Sequence, residues 1–181
     1  MKKNIFIKAA LKDHRIGAFT RSSPFTIKRI LDRLKKHHTC IVEYGAGDGI
    51  ITKKILGMLP DDGKLIAIEI NNDLLHELRA IRDTRLTVVK GDVQTLSNDL
   101  TSLADQKIDA IISGIPFSFF NQKIREKIIA NTGSTLKPGG MFIVYQYSPL
   151  VLPLLKKYFT KVHVQYEMRN FLPYFIMAAE K

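Results

Sequence analysis

The polar residues of this chain that could act together stand where short apolar runs end. Glu43-Tyr44-Gly45-Ala46-Gly47-Asp48-Gly49 closes one run and Glu69-Ile70 a second. Gly91-Asp92-Val93 closes a third and Ser113-Gly114-Ile115-Pro116-Phe117 a fourth. Glycines after a strand allow a tight turn into a helix and let a ligand approach the backbone. Glu69 follows Gly49 by 20 residues, and a carboxylate there can accept hydrogen bonds from both hydroxyls of a ribose. Asp92 can receive the amino donor of an adenine. The glycine pattern is not G-x-G-x-x-G, and no phosphate loop is present. A nicotinamide-dinucleotide site built on the same carboxylate is the competing reading.

The elements that must hold these residues follow from periodicity. TCIVEYG, KLIAIEI, RLTVVKGD, KIDAIISG and MFIVYQY read as strands. GIITKKILGML, DLLHELRAIRD, residues 95–105 and residues 121–131 read as helices between them, and LKPGG as a turn. Strand–helix alternation predicts an α/β fold with a mostly parallel sheet covered on both faces. KVHVQYEM and FLPYFIMAAEK, joined by Arg169-Asn170, predict an antiparallel hairpin closing one edge. Ser22-Ser23-Pro24 is a helix start, a capping hydroxyl followed by proline in the first turn. Ile27, Ile30, Leu31 and Leu34 then give that helix one buried face. Residues 2–12 read as a short amphipathic helix. Residues 1–38 thus form a basic helical extension of one domain whose main body spans 39–181.

Composition narrows the classes. The chain has 181 residues, one cysteine and no tryptophan, which fits a single core without disulfides. Cys40 leads into an apolar run, so a reducing cytoplasm is the expected compartment. The N-terminal residues have a basic flank but too brief an apolar stretch for a secretory signal. The longest uncharged stretch, Pro138 to Leu155, is broken by two glycines and two prolines and does not read as a membrane span. The five histidines show no metal-ligand spacing, so no metal is expected; His37 and His38 read as the cationic end of a basic helix. Net charge is +11, of which +9 falls within residues 1–38. That asymmetry points to an anionic partner, a membrane surface or nucleic acid, against the plainer reading of a solvated face.

The ordered set E-x-G-x-G-x-G, strand-end Glu69 and Gly91-Asp92 resembles the class I methyltransferases that use S-adenosylmethionine. The resemblance runs from about Thr39 to Lys181. It implies a Rossmann-like, seven-stranded sheet with an antiparallel terminal hairpin and helices on both faces. By the same resemblance, Gly45, Gly47 and Gly49 shape the loop under the cofactor's methionine part, which Glu43 orients. Glu69 would bind the ribose, Ile70 would pack the adenine, Asp92 with Val93 would meet its amino edge, and Ser113 would complete the cofactor site.

The acceptor is read from the fourth strand end. Ribosomal RNA adenine dimethyltransferases carry Asn or Asp where this chain has Gly114, and that side chain holds the target amino group. The chain more closely resembles the bacterial, soluble phospholipid N-methyltransferases. The match lies in Ile16-Gly17-Ala18 before Ser22-Ser23, in Ser113-Gly114-Ile115-Pro116, in the widespread Lys137-Pro138-Gly139-Gly140 and in Arg169-Asn170-Phe171-Leu172-Pro173. Phe25 and the aromatic Phe117 depart from that pattern, the latter leaning toward the RNA enzymes. The resemblance implies methylation of the amine of phosphatidylethanolamine and its methylated forms by a peripherally membrane-associated enzyme. Tyr145 and Tyr147 are the expected partners of the amine, and Arg169 with Asn170 of the lipid phosphate. Salt-bridged Arg169 and packed tyrosines are the ordinary alternative. Ile5, Phe6 and Ile7 could insert at an interface; Phe117, Phe119 and Phe120 could wall acyl chains or simply pack the core. RNA adenine N6-methylation is the second reading, and a non-catalytic cofactor-binding regulator the third.

Overall fold

The computed structural model describes residues 23–169 and 173–181. The expected helix over 2–12, the Ile16-Gly17-Ala18 motif and Asn170 lie outside the described residues.

Helix α1 (Pro24–Leu31) begins where the capping signal places it, with the Ser23 hydroxyl accepting from the Thr26 N–H at 3.2 Å. Then follow β1 (Cys40–Tyr44), α2 (Ile50–Leu56), β2 (Lys64–Glu69), α3 (Asn72–Arg79) and β3 (Leu86–Lys90). After these come α4 (Val93–Leu96), α5 (Leu100–Ala104), β4 (Ile108–Ser113), a 3₁₀ turn (Phe117–Phe119) and α6 (Gln122–Thr135). The chain closes with β5 (Leu136–Gln146), α7 (Leu152–Tyr158), β6 (Lys161–Glu167) and β7 (Tyr174–Glu180). The strands form one seven-stranded sheet in the order β3-β2-β1-β4-β5-β7-β6. All neighbours are parallel except β7, which runs antiparallel between β5 and β6. The Rossmann-like sheet and terminal hairpin expected from the sequence are therefore present.

Alternation along each strand sends side chains to two apolar layers. Val42, Ile111, Phe142 and Met177 pack with α6 and α7 on one face. Ile41, Ala110, Ile143 and Ile176 pack with α1 and α2 on the other. The chain order reverses between β1 and β4, which leaves a crevice above their carboxyl ends, the usual ligand site of open α/β sheets. Among the described residues no helix is long and apolar enough to cross a membrane, and no group of three His, Cys, Asp or Glu could hold a metal ion.

Three local readings need correction. The LKPGG segment is not a turn outside the sheet but a wide bulge inside β5. Leu136 pairs with Ile108 and Met141 with Ala110, so residues 137–140 stand opposite Asp109 alone. Gly139, at φ +73°, makes the bend possible. The helix expected over 95–105 is two short helices, α4 and α5, because Asp92 starts the first and Asp99 flanks the second. His38 does not end a helix as a cation. Helix α1 stops at Leu31, and His38 is buried with Nδ1 accepting from the Lys35 N–H. Burial drives its pKa down to about 4 against the opposing pull of Asp109.

The bulge serves a clasp at the end of the sheet remote from the crevice. One Asp109 oxygen accepts from the Thr39 and Cys40 N–H groups at 2.9 and 2.8 Å, and the other meets Lys137 at 2.8 Å. Burial opposes the Asp109 charge, but Lys137 and the two backbone donors outweigh it and hold the carboxyl below its ordinary value. We expect Asp109→Ala to lower unfolding stability in urea by about 2–3 kcal/mol, since buried donors and a lysine lose their acceptor. The lost contribution is present above the ordinary Asp pKa and fades as pH falls below it, so variant and wild type should converge in acid.

Candidate active site

The glycine loop is shaped by backbone conformation. Gly45, Gly47 and Gly49 have φ of +71°, +60° and +79°, a region that disfavours any other residue. A β-carbon on Gly47 would meet nothing within 4 Å, so the loop presents bare backbone to open space. This is a cradle with room for a ligand above it.

Two carboxylates stand beside that cradle, and one of them ties it down. Glu69 Oε2 accepts from the Gly47 N–H at 2.8 Å, while Oε1 accepts from the N–H groups of Ile70 and Asn71 at 2.9 and 2.8 Å. Glu69 thus ties the loop to the end of β2. A carboxylate has about four acceptor sites, so capacity remains for a ribose hydroxyl. Glu43 is 1% exposed; its Oε2 accepts from the Thr52 hydroxyl at 2.6 Å, and its Oε1 has no partner among the described residues. Burial pushes the Glu43 pKa up to about 8, the Thr52 bond opposing and Glu69 adding to the rise. The Ser113 hydroxyl is likewise buried with no partner among the described residues. Orphaned polar atoms in β1 and β4 beside a bare glycine loop fit a polar cofactor.

The other expected cofactor contacts divide. Ile70 is exposed beside Glu69, as an apolar wall for a flat ring would be. Asp92 caps α4, accepting from the Gln94 N–H at 2.8 Å and the Gln94 Nε2 at 2.9 Å. Val93 is a core side chain and offers the site only its backbone. The structure thus brings Glu43, the glycines, Glu69, Ile70, Asp92 and Ser113 to the carboxyl ends of β1–β4.

At the ends of β4 and β5, Gly114 and Tyr145 are interlocked. A β-carbon on Gly114 would lie 2.2 Å from the Tyr145 hydroxyl. The space that Gly114 leaves is not empty: the phenol of the neighbouring strand fills it. Tyr145 is buried, and burial, then the charges of Glu43, Glu69 and Asp48, raise its pKa far above the ordinary tyrosine value. Tyr147 stacks on Tyr174 with centroids 4.4 Å apart, and the Tyr174 hydroxyl donates to that of Tyr147 at 2.9 Å. Phe117 is buried and meets Phe120 edge-on, while Phe119 is exposed. The packing alternative therefore holds for two of the three phenylalanines.

Arg169 is salt-bridged. Its Nε and Nη2 donate to Glu167 at 2.9 Å each, Arg29 joins the same buried carboxylate, and the guanidinium lies 4.2 Å from the Phe25 ring centroid. Arg169 first, then Arg29, hold Glu167 down to a pKa of about 2. Sequence reasoning missed Thr52, Tyr174 and Gln146. Gln146 accepts from the Phe117 N–H and donates to the Ser148 carbonyl, ordering two strand-end turns at once. A glutamine ending an apolar strand was the available signal.

Two outcomes follow from the carboxylates. Glu69→Ala should weaken calorimetric binding of S-adenosylhomocysteine by at least about tenfold, because a charge-assisted acceptor and the loop tether are both lost. The folded protein holds a proton on Glu43 up to a pKa of about 8, whereas the unfolded chain releases it near 4.5. The stabilising contribution of that proton is full below 4.5 and disappears as pH rises to 8. Glu43→Gln should therefore gain on wild type progressively as pH rises from 4.5, by roughly 1–3 kcal/mol near pH 8, in ligand-free thermal unfolding.

Comparison with known proteins agrees with this geometry. A family model described as a methyltransferase domain matches residues 41–140. An ornithine lipid N-methyltransferase of Singulisphaera acidiphila is 28% identical over 162 residues, covering 87% of this chain and 84% of that protein. A ubiquinone/menaquinone biosynthesis C-methyltransferase of Enterobacter sp. strain 638 is 30% identical over 121 residues, 65% of this chain; the chain spans 47% of that longer relative. A 1,6-didemethyltoxoflavin N1-methyltransferase of Burkholderia thailandensis shares the fold with a TM-score of 0.74 at 17% identity, over 99% of this chain and 86% of that one. Bare glycine loop, strand-end carboxylates and matching family model converge: the chain belongs to the methyltransferase-domain family and is a class I, S-adenosylmethionine-dependent methyltransferase.

Proposed function

We propose that the chain methylates the amine of a lipid headgroup, phosphatidylethanolamine and its methylated forms in the first place. One observation carries the reading: at the turn after β4, position 114 has no side chain, and a phenol oxygen from β5 stands in its place. A planar adenine amino group is clamped by an amide or carboxylate in the plane of the base. The buried phenol of Tyr145, kept protonated by its surroundings, instead offers a single oxygen. It can accept one N–H bond from a primary or secondary tetrahedral amine and leave the lone pair directed along the reaction axis.

The sulfonium of bound S-adenosylmethionine supplies an already activated methyl group. What remains for the protein is alignment and exclusion of water. The glycine loop, Glu69 and Asp92 would hold the nucleoside and Glu43 the methionine end. Tyr145 would orient the amine, which must lose a proton to become nucleophilic. Tyr147, whose hydroxyl accepts from Tyr174, keeps its own O–H to donate to the headgroup. Arg169, with Asn170 beside it in sequence, would meet the phosphate from a position fixed by Glu167. The relative that methylates the amine of ornithine lipid supports a lipid acceptor in general.

The test is transfer of labelled methyl to phosphatidylethanolamine vesicles, to ornithine lipid or to RNA. Label should appear in the aminolipid fraction; label in RNA alone would replace this reading with adenine methylation. Gly114→Asn forces its side chain into Tyr145 and should cut kcat/KM on the lipid at least about tenfold, about 1.4 kcal/mol. Tyr145→Phe should cost roughly 3- to 10-fold, one neutral hydrogen bond. Both variants should bind S-adenosylhomocysteine like wild type.

A further inference from the structure

The described residues include nine large hydrophobic side chains left exposed, and they are not scattered. Five stand at the end of the sheet where β5 and β6 finish and α1 begins: Phe25, beneath the Arg169 guanidinium, then Tyr147 and Leu150 after β5, Met168 after β6, and Tyr166, which faces Phe175 on the other side of the sheet from the α1 groove. Strand direction puts this corner on the same side of the sheet as the cofactor crevice, because β5 and β6 both run parallel to β1 and β4. Phe25 is 47% exposed and Met168 71%, although neither lines a core. Exposed apolar side chains clustered at the rim of a site mark a contact surface.

The corner is also cationic. An open groove of about 630 Å³ lies between α1 and β6, lined by Phe25, Lys28, Arg29, Arg33 and Arg169 with Asp32 and Gln165. Lys28 pairs with Asp32, and Arg29 shares buried Glu167 with Arg169. One positive charge of each pair's surroundings is thereby cancelled, and the groove retains a surplus of two.

We infer that this corner is the docking face of the enzyme on an anionic bilayer, with Phe25 and Met168 entering the headgroup–acyl boundary and the α1 groove resting against lipid phosphates. The inference rests on the lipid reading above and names the surface through which that substrate would arrive. A bilayer fits better than another macromolecule. Unbranched Met168 and aliphatic Leu150 suit acyl chains rather than bases, and the cations flank the apolar patch as they do in interfacial segments.

The experiment is cosedimentation of the full chain with phosphatidylglycerol vesicles, which are anionic and carry no amine. The double variant Phe25→Ser/Met168→Ser should bind at least about tenfold more weakly, and Arg33→Glu several-fold more weakly with a shallower salt dependence. S-adenosylhomocysteine affinity should be unchanged in both. Met58→Ser, 52% exposed at the opposite end of the sheet after α2, should bind as wild type. Unaltered binding by the double variant overturns the inference, as does an equal loss in Met58→Ser. So does full dependence of binding on residues 1–22 with the corner variants silent. Wild type that sediments with these vesicles but labels no aminolipid would sink the acceptor assignment and leave the docking face standing.

Discussion

The site depends on three backbone N–H groups converging on one carboxylate. Glu69 takes Gly47 on one oxygen, and Ile70 and Asn71 on the other. These bonds hold a glycine loop, which has no side chains to fix itself, against the end of the neighbouring strand. The arrangement is charge-assisted and nearly dry, where each bond is stronger than in water. Without it, three left-handed glycines would sample many conformations at the point where a ligand needs one.

Around that tether the protein keeps polar atoms in deficit. Among the described residues Glu43 has one unpartnered oxygen and Ser113 an unpartnered hydroxyl, at the carboxyl ends of adjacent central strands, with the Tyr145 phenol standing against Gly114 beside them. Buried orphans cost stability, and the remote end of the sheet offsets some of that cost. There Asp109 satisfies two backbone donors and a lysine together. Stability is concentrated at one end of the strands and binding capacity at the other.

The sequence disclosed those features whose signals are local. A strand's β-branched run, the glycines that follow it and a carboxylate at the next strand's end lie within short windows, so the parallel sheet, the hairpin and the Glu69 and Asp92 positions could be read directly. Contacts decided by register could not. Thr52 reaches Glu43 only because α2 folds back over β1, Tyr174 supports Tyr147 only because β7 runs antiparallel to β5, and Lys137 meets Asp109 only through the bulge. His38 was misjudged for the same reason: its environment comes from neighbours remote in sequence, and burial outweighs local charge.

The Gly114–Tyr145 interlock also constrains how these two positions could change over evolutionary time. A side chain at 114 clashes while the phenol keeps its place, since its β-carbon would lie 2.2 Å from the Tyr145 hydroxyl. Shrinking Tyr145 first opens a cavity in a packed strand end, at about 3–5 kcal/mol for loss of a large aromatic. Each single step passes through a weakened protein, although the doubly changed pair could pack well. Such epistasis couples the two positions: a side chain at 114 and a smaller residue at 145 would have to arrive together.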